Sequence, residues 1–266
     1  MAIITLALLA HQDDEFCAFP LLAAAIGRGE RVLAVYTTRH RNDAVEAARE
    51  AESIEVLGTM GVARSDIVFL GASGGIFDGE SHCHFARLLD HAAAYFESLA
   101  ERPSQLLVPA WEGGHMDHDC AHAAALILQP RLYPNAEVWQ FPLYTSGRIL
   151  PFRVMVPRPE NGSGTMQRFS LRNGWQWFRL LARYRSQRRS FVGIAPEAAI
   201  HYLLARRVVR QPTDMARIAQ RPHAGSLFYE RRYGIAYADV AAAIAANLTR
   251  PHNELPAHDS HAKAPD

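Results

Sequence analysis

Apolar runs and polar loops alternate through the first half of the chain. Residues 3–9 form a continuous run, β-branched in part and broken only by Thr5, with the length of a strand buried on both faces. It gives way to Ala10-His11-Gln12-Asp13-Asp14-Glu15 and then to the helix-like stretch 21–26. A second strand is predicted over 31–38. A helix follows over 42–60, where Ala44, Ala47, Ala48, Ala51, Ile54 and Leu57 recur at helical spacing. Residues 66–70 read as a third strand ending in the turn 71–75, and a helix over about 83–100 leads to a strand at 105–109. The polar loop Ala110–Asp119 comes next, then an apolar helix to about 128 and a strand over 136–141. Strand and helix in this order predict an α/β fold: a Rossmann-like, mostly parallel, doubly wound sheet with helices on both faces.

The second half is less regular. Residues 158–166 have loop composition. An Arg-rich helix is expected from Trp175 to about 189, carrying Trp177, Phe178, Leu180, Leu181 and Tyr184, and another over 196–207. The Pro-, His- and Asp-rich tail 251–266 has little to bury and is expected to be disordered. The organisation expected is one domain over 1–250, with the basic part 146–232 packed on it as an Arg-rich C-terminal extension.

Composition adds detail. The chain has 266 residues, 49% of them apolar, enough for a full core, and a net charge of +1. Its charges are unevenly spread: between 146 and 232 the acids are Glu160, Glu197, Asp214 and Glu230, against many arginines, and Lys263 is the sole lysine. That basic stretch reads either as a contact for an anionic group or as a solvated face paired with the acidic half. Three scattered cysteines imply no disulfide framework and a reducing, cytoplasmic setting. The first apolar run has no basic flank and is too short to span a bilayer, so neither a signal peptide nor a membrane span is expected.

The two polar loops carry the chemistry. Both follow strands, and in an open α/β sheet ligands bind beyond the carboxyl ends of strands. A hydrolytic zinc site takes three ligands from His and carboxylate and leaves room for water. His11 and Asp14 in the first loop and His118 in the second supply such a set. Asp13 is placed to take a proton from the activated water, and His115 to act on the opposite side of the substrate. Zinc, or another divalent ion, would polarise an amide carbonyl and lower the pKa of its water to about 7.

These loops, Ala10-His11-Gln12-Asp13-Asp14-Glu15 and His115-Met116-Asp117-His118, resemble the Ala-His-Pro-Asp-Asp-Glu and His-x-Asp-His signatures of the PIG-L/LmbE-type zinc-dependent de-N-acetylases. That family includes the deacetylases of glycosylphosphatidylinositol and mycothiol precursors. The resemblance extends to Arg49 through Glu52 ahead of Met60-Gly61-Val62, and to Tyr184-Arg185-Ser186-Gln187, covering roughly residues 3–190. It implies one zinc on His11, Asp14 and His118, with Asp13 as general base. His115 would stabilise the tetrahedral intermediate and protonate the amine, and Asp117 would orient it. It also implies hydrolysis of an N-acetyl or other N-acyl group on an amino-sugar-containing small molecule, an anionic one if the arginines read it, with Arg49, Ser73 and Gly74 near the sugar. Gln12 stands where the family has Pro, and the family's Asp-Gly after the third strand is read here as Gly74-Gly75.

Other readings compete. Gly71-Ala72-Ser73-Gly74-Gly75 fits the spacing of a serine-hydrolase elbow, although turn-like rather than helical sequence follows it. The stretch 175–185 could instead make a non-catalytic protein that docks on anionic glycans or a membrane surface, though helical spacing of its apolar residues fits core packing. No nucleic-acid partner is expected. His122, four residues after His118, and the group His82, Cys83, His84 are set aside as metal ligands in favour of structural and rim positions.

Overall fold

The computed structural model describes residues 3–147 and 152–249; the tail 251–266 lies outside the described residues. Strand β1 (Ile4–Leu9) has apolar side chains on both faces. Ile4, Leu6 and Leu8 enter one core, and Ala7 and Leu9 the other. A tight turn at Asp14–Ala18 leads into α1 (Phe19–Gly27), β2 (Arg31–Tyr36) and α2 (Asp43–Met60), which the Asn42 side chain caps by accepting from the Ala44 and Val45 amides. Then follow β3 (Ile67–Phe69), α3 (Leu70–Gly74), α4 (Phe85–Ser98), β4 (Gln105–Pro109), α5 (Met116–Leu132) and β5 (Glu137–Phe141). The remainder comprises the hairpin β6 (Tyr144–Ser146) and β7 (Phe152–Val154), then β8 (Thr165–Arg168), α6 (Leu171–Leu180), α7 (Arg188–Ala199), β9 (Arg207–Pro212), α8 (Phe228–Tyr233) and α9 (Tyr237–Ala245).

Seven strands form one sheet in the order β3-β2-β1-β4-β5-β9-β8. The first five are parallel, while β9 runs antiparallel to β5 and β8 antiparallel to β9. Helices α4, α5 and α9 cover one face, and α1, α2, α6 and α7 the other. The Rossmann-like expectation is met. The chain winds outward from β1 to β3, then crosses to the far side of β1 and continues with β4. Strands β1 and β4 pair directly, Leu6 opposite Leu106, so their carboxyl ends open side by side where the winding reverses. Two loops a hundred residues apart are neighbours for this reason.

The structure departs from the sequence reading in five places. Strand β3 ends in the short helix α3 rather than a turn. A Cβ on its Gly71 would lie 2.2 Å from the Thr38 carbonyl carbon, so only glycine allows this approach. Helix α5 begins at Met116, earlier than expected, which puts His118 in its first turn. The long helix expected over 175–189 is divided into α6 and α7, because the Ser186 amide donates to the Glu52 carboxylate (2.9 Å) instead of continuing a helix. The helix expected over 196–207 is the end of α7 followed by a π-helical turn at Ile200–Ala205. It stops at Arg206, in a left-handed conformation (φ 52°), where β9 begins. Strand β8 likewise starts inside the expected loop 158–166.

Candidate active site

His11, Asp14 and His118 meet in the space between the β1 and β4 loops. His11 Nδ1 lies 3.2 Å from His118 Nε2, His118 Nε2 lies 3.0 Å from Asp14 Oδ1, and His11 Nδ1 lies 3.7 Å from the same oxygen. Ligand atoms about 2.0–2.1 Å from a tetrahedral zinc stand about 3.3 Å apart, so two imidazole nitrogens and one carboxylate oxygen here have the spacing and the chemistry of a divalent-metal site. All three residues are buried. The atoms of His11 and Asp14 turned away from this triangle are occupied. Asp14 Oδ2 accepts from the Ala10 (3.0 Å) and His11 (2.8 Å) amides, and His11 Nε2 bonds to Asp117 Oδ2 (3.0 Å). Burial opposes ionisation of Asp14, but the His118 and His11 rings hold its carboxyl well below the ordinary carboxylate range.

A second compact group, His11, Asp78, His115 and Asp117, adjoins the first. Its Asp117 is already saturated: Oδ1 accepts from the Ser81 amide (3.0 Å), and Oδ2 from the Gly79 amide (2.6 Å) as well as His11. This carboxylate fixes the His11 ring, the arrangement that acceptors behind ligating histidines make. It reaches His115 Nδ1 only at 3.7 Å; the group bonded there is the Asp117 backbone amide, at 3.2 Å. Because Nδ1 accepts, a neutral His115 carries its proton on Nε2, which faces Asp78 Oδ1 across 3.7 Å. Burial pushes the His115 pKa down to about 4, so the neutral form is the relevant one.

Asp13 sits beside the triangle with a backbone φ of 134°, a region that side-chain-bearing residues rarely enter. The Glu15 carboxylate holds it there by accepting from the Asp13 amide (3.0 Å), while Tyr184 donates its hydroxyl to the same carboxylate (2.9 Å). Removal from water and the adjacent Asp14 raise the Asp13 carboxyl well above the ordinary range. Gln12, at the family's proline position, donates to Glu46 (2.7 Å), and its carbonyl accepts from Gln187 (2.5 Å). Ser186 donates its hydroxyl to Glu52 (2.7 Å). The two secondary motifs read from the sequence therefore meet and brace the first polar loop. In the second loop, a Cβ on Gly114 would lie 1.8 Å from the Tyr144 carbonyl oxygen, so this backbone contact requires glycine.

A cleft of about 360 Å³ opens over these groups, lined by His11, Asp13, Asp14, Arg49, Asp78 and His115 and by side chains from the later elements. Arg49 pairs with Asp78 (3.5 Å). Ser73 and Gly74 do not line this cleft. Ser73 is exposed within α3 and donates to the Leu70 carbonyl (3.1 Å), and Gly74 packs toward His91. An elbow serine would stand at a strand-to-helix corner; this one lies inside a helix, away from the cleft. His122 is buried and donates to the Pro109 carbonyl (2.8 Å), and Cys83 is exposed with His82 beside it. In the basic segment Trp177, Leu180, Leu181 and Tyr184 belong to the core, and Trp175 is exposed. Among the described residues no helix is long and apolar enough to cross a membrane.

Asp78 is a site residue that the spacing of the sequence does not single out, although its signal is present. An Asp-Gly pair does follow the third strand, not at Gly74-Gly75 but four residues later as Asp78-Gly79, beyond a helix that the glycines conceal. Tyr144, Phe152, Phe228 and Tyr233 also line the cleft. They come from three short elements, the β6–β7 hairpin strands and α8, and share no sequence pattern.

Residues 6–128 match the family model described as PIG-L, GlcNAc-PI de-N-acetylase. No curated protein sequence matches the chain. Solved structures share its fold at low identity. A deacetylase of teicoplanin biosynthesis is 16% identical with a TM-score of 0.57, covering 79% of this chain and 98% of its own. The deacetylase of the A40926 pseudoaglycone is 14% identical with a TM-score of 0.57, over 84% and 99%. The N,N'-diacetylchitobiose deacetylase of Pyrococcus horikoshii is 14% identical with a TM-score of 0.55, over 84% and 88%.

Proposed function

We propose that this chain, whose residues 6–128 match the PIG-L family model, is a metal-dependent N-deacylase acting on an amino-sugar-containing small molecule. The observation that carries the reading is the buried triangle of His11, Asp14 and His118 with the free carboxylate of Asp13 beside it. These three residues would hold the ion, zinc by donor type, which when bound supplies a polarised carbonyl and an acidified water. Asp13 takes the proton that water loses on attacking the amide carbon. The same proton then satisfies the leaving nitrogen, which departs as the amine while the acyl group leaves as the acid. His115 donates its Nε2 proton as a hydrogen bond to the carbonyl oxygen as charge develops there, an interaction of a kind worth about 2.7–4 kcal/mol. Asp117 acts through His11, holding its ring.

Asp78 and Arg49 offer a carboxylate and a guanidinium to sugar hydroxyls at one side of the cleft. The exposed Arg189 and Arg232, also at the cleft, support an acceptor bearing a negative group. The test is amine release from a panel of N-acetylated glycosides, neutral and phosphorylated, before metal stripping, after it, and after zinc is restored. Release that stops on stripping and returns with zinc is the expected result. Release indifferent to metal would sink the reading.

A further inference from the structure

We propose that the apolar half of the cleft is an acyl slot and that the preferred substrate carries an N-alkanoyl chain longer than acetyl. The inference rests on the N-deacylase reading above and refines its substrate. A row of rings leads away from the metal donors. Tyr144 packs edge-on against His118, with centroids 5.2 Å apart, Phe228 against Tyr144 at 5.7 Å, and Phe152 against Phe228 at 5.9 Å. Gly193 and Ile194 of α7 continue this wall. A Cβ on Gly193 would stand 3.7 Å from the Phe152 ring, so the missing side chain leaves the row open at its far end. All five residues line the cleft, and the Tyr144 hydroxyl is the one polar side-chain atom among them; Arg189 and Ser190 of α7 and Arg232 of α8 line it as well, so the rings are flanked by polar side chains from the same two helices.

The other side of the donors is different in kind. There Asp78 lies 3.3 Å from His11 Nε2 and pairs with Arg49, and His115 packs against His11 with centroids 4.6 Å apart. A secondary amide is trans, so the sugar carbon and the acyl chain leave its C–N bond on opposite sides. With the carbonyl at the donors, the hydroxyl-bearing half falls to Asp78 and Arg49, where it can be hydrogen-bonded, and the acyl chain runs along the rings. An acetyl methyl would meet Tyr144 and leave Phe228, Phe152 and Ile194 uncovered. Apolar surface left open in a concave site marks what the site is shaped to cover. Tyr144, Phe152, Gly193, Ile194 and Phe228 all lie beyond the segment that matches the family, so the slot comes from this chain's own later elements.

The test compares kcat/KM on N-acetyl-, N-butanoyl-, N-hexanoyl- and N-octanoylglucosamine with zinc-loaded enzyme. The value is expected to rise at least ten-fold, or ~1.4 kcal/mol, from acetyl to the best chain. Gly193→Leu should lower the long-chain value at least ten-fold more than the acetyl value. Gly193→Ala, which has room for its methyl, should keep the ranking. Acetyl as the best substrate would overturn the slot and leave the hydrolase reading standing. If no chain is released, the simple sugar is too small an acceptor and the slot is judged by calorimetric binding, while the hydrolase reading is judged by the glycoside panel. Octanoylglucosamine binding ten-fold tighter than N-acetylglucosamine would support it; equal affinities would overturn it. An octyl glycoside of N-acetylglucosamine is the last arm: a gain matching that of the N-octanoyl sugar would assign the rings to the aglycone and end the acyl assignment.

Discussion

Asp13 combines two unusual properties, a carboxyl raised well above its ordinary range and a backbone held at φ 134°. A residue kept in such a conformation costs about 1–3 kcal/mol, and glycine would not incur that cost. Asp13→Ala and Asp13→Gly should both retain metal and lose most turnover, while the glycine variant unfolds at higher denaturant, by about 1 kcal/mol or more relative to alanine. Equal metal content with undiminished turnover in either would remove Asp13 from its role. His118→Ala should lose metal and activity together, measured by metal analysis of the purified protein. The triangle of His11, Asp14 and His118 was legible because His and Asp at the ends of two apolar runs have few structural uses. Asp78 was hidden by a glycine-rich helix that imitated a turn, and the ring wall by its origin in four short segments without periodicity.

The elements that position the site are those whose polar atoms reach into it. Between α6 and α7 the chain gives up helical hydrogen bonds so that Ser186 and Gln187 can bond to Glu52 and to Gln12. Apolar spacing predicts one helix there because it registers Trp177, Leu181 and Tyr184 and is blind to a backbone amide taken by a distant carboxylate. The early strands were legible because Ile4 through Leu9 are apolar on both faces; β8 was not, because its residues are largely exposed at a sheet edge and do not alternate. At the β4–α5 loop, Gly114→Ala must push the β6 backbone away. An overpacking cost of about 1–3 kcal/mol is expected, read by urea unfolding, with kcat/KM falling further than stability alone explains because Tyr144 moves with that strand.

At the scale of the whole molecule, the site joins parts of the chain that only folding brings together, so metal and stability are linked. With free zinc at 100 times its dissociation constant, the folded state gains about 2.7 kcal/mol. Chelation should therefore lower the melting temperature by about 5–10 °C in the wild type and leave His118→Ala unmoved. Part of the pH dependence follows from Glu112, buried within the second loop, whose Oε1 accepts from the Leu143 amide (2.8 Å) and whose Oε2 has no partner; burial raises Asp119 of the same loop to about 8 as well. Burial pushes the Glu112 pKa from 4.5 up to about 8. Between those values the unfolded chain has released a proton that the folded chain keeps. Stability thus falls as pH rises across that window, by up to ~1.4 kcal/mol per pH unit, and levels off above it. Denaturant melts at pH 6.5 and 8 should show a smaller drop for Glu112→Gln than for the wild type; equal drops would clear Glu112 of the effect.

Asp117 holds the ring of His11 and, through the Gly79 and Ser81 amides, the loop that carries Asp78. On the proposed function, the ion and the sugar would share this one anchor, and thermodynamic reciprocity would follow. A saccharide that tightens the rim would then raise the affinity for the ion by the same factor. A sugar analogue lacking any cleavable amide should therefore slow the escape of zinc to a chelator, and Asp117→Asn should uncouple the two events while each still occurs.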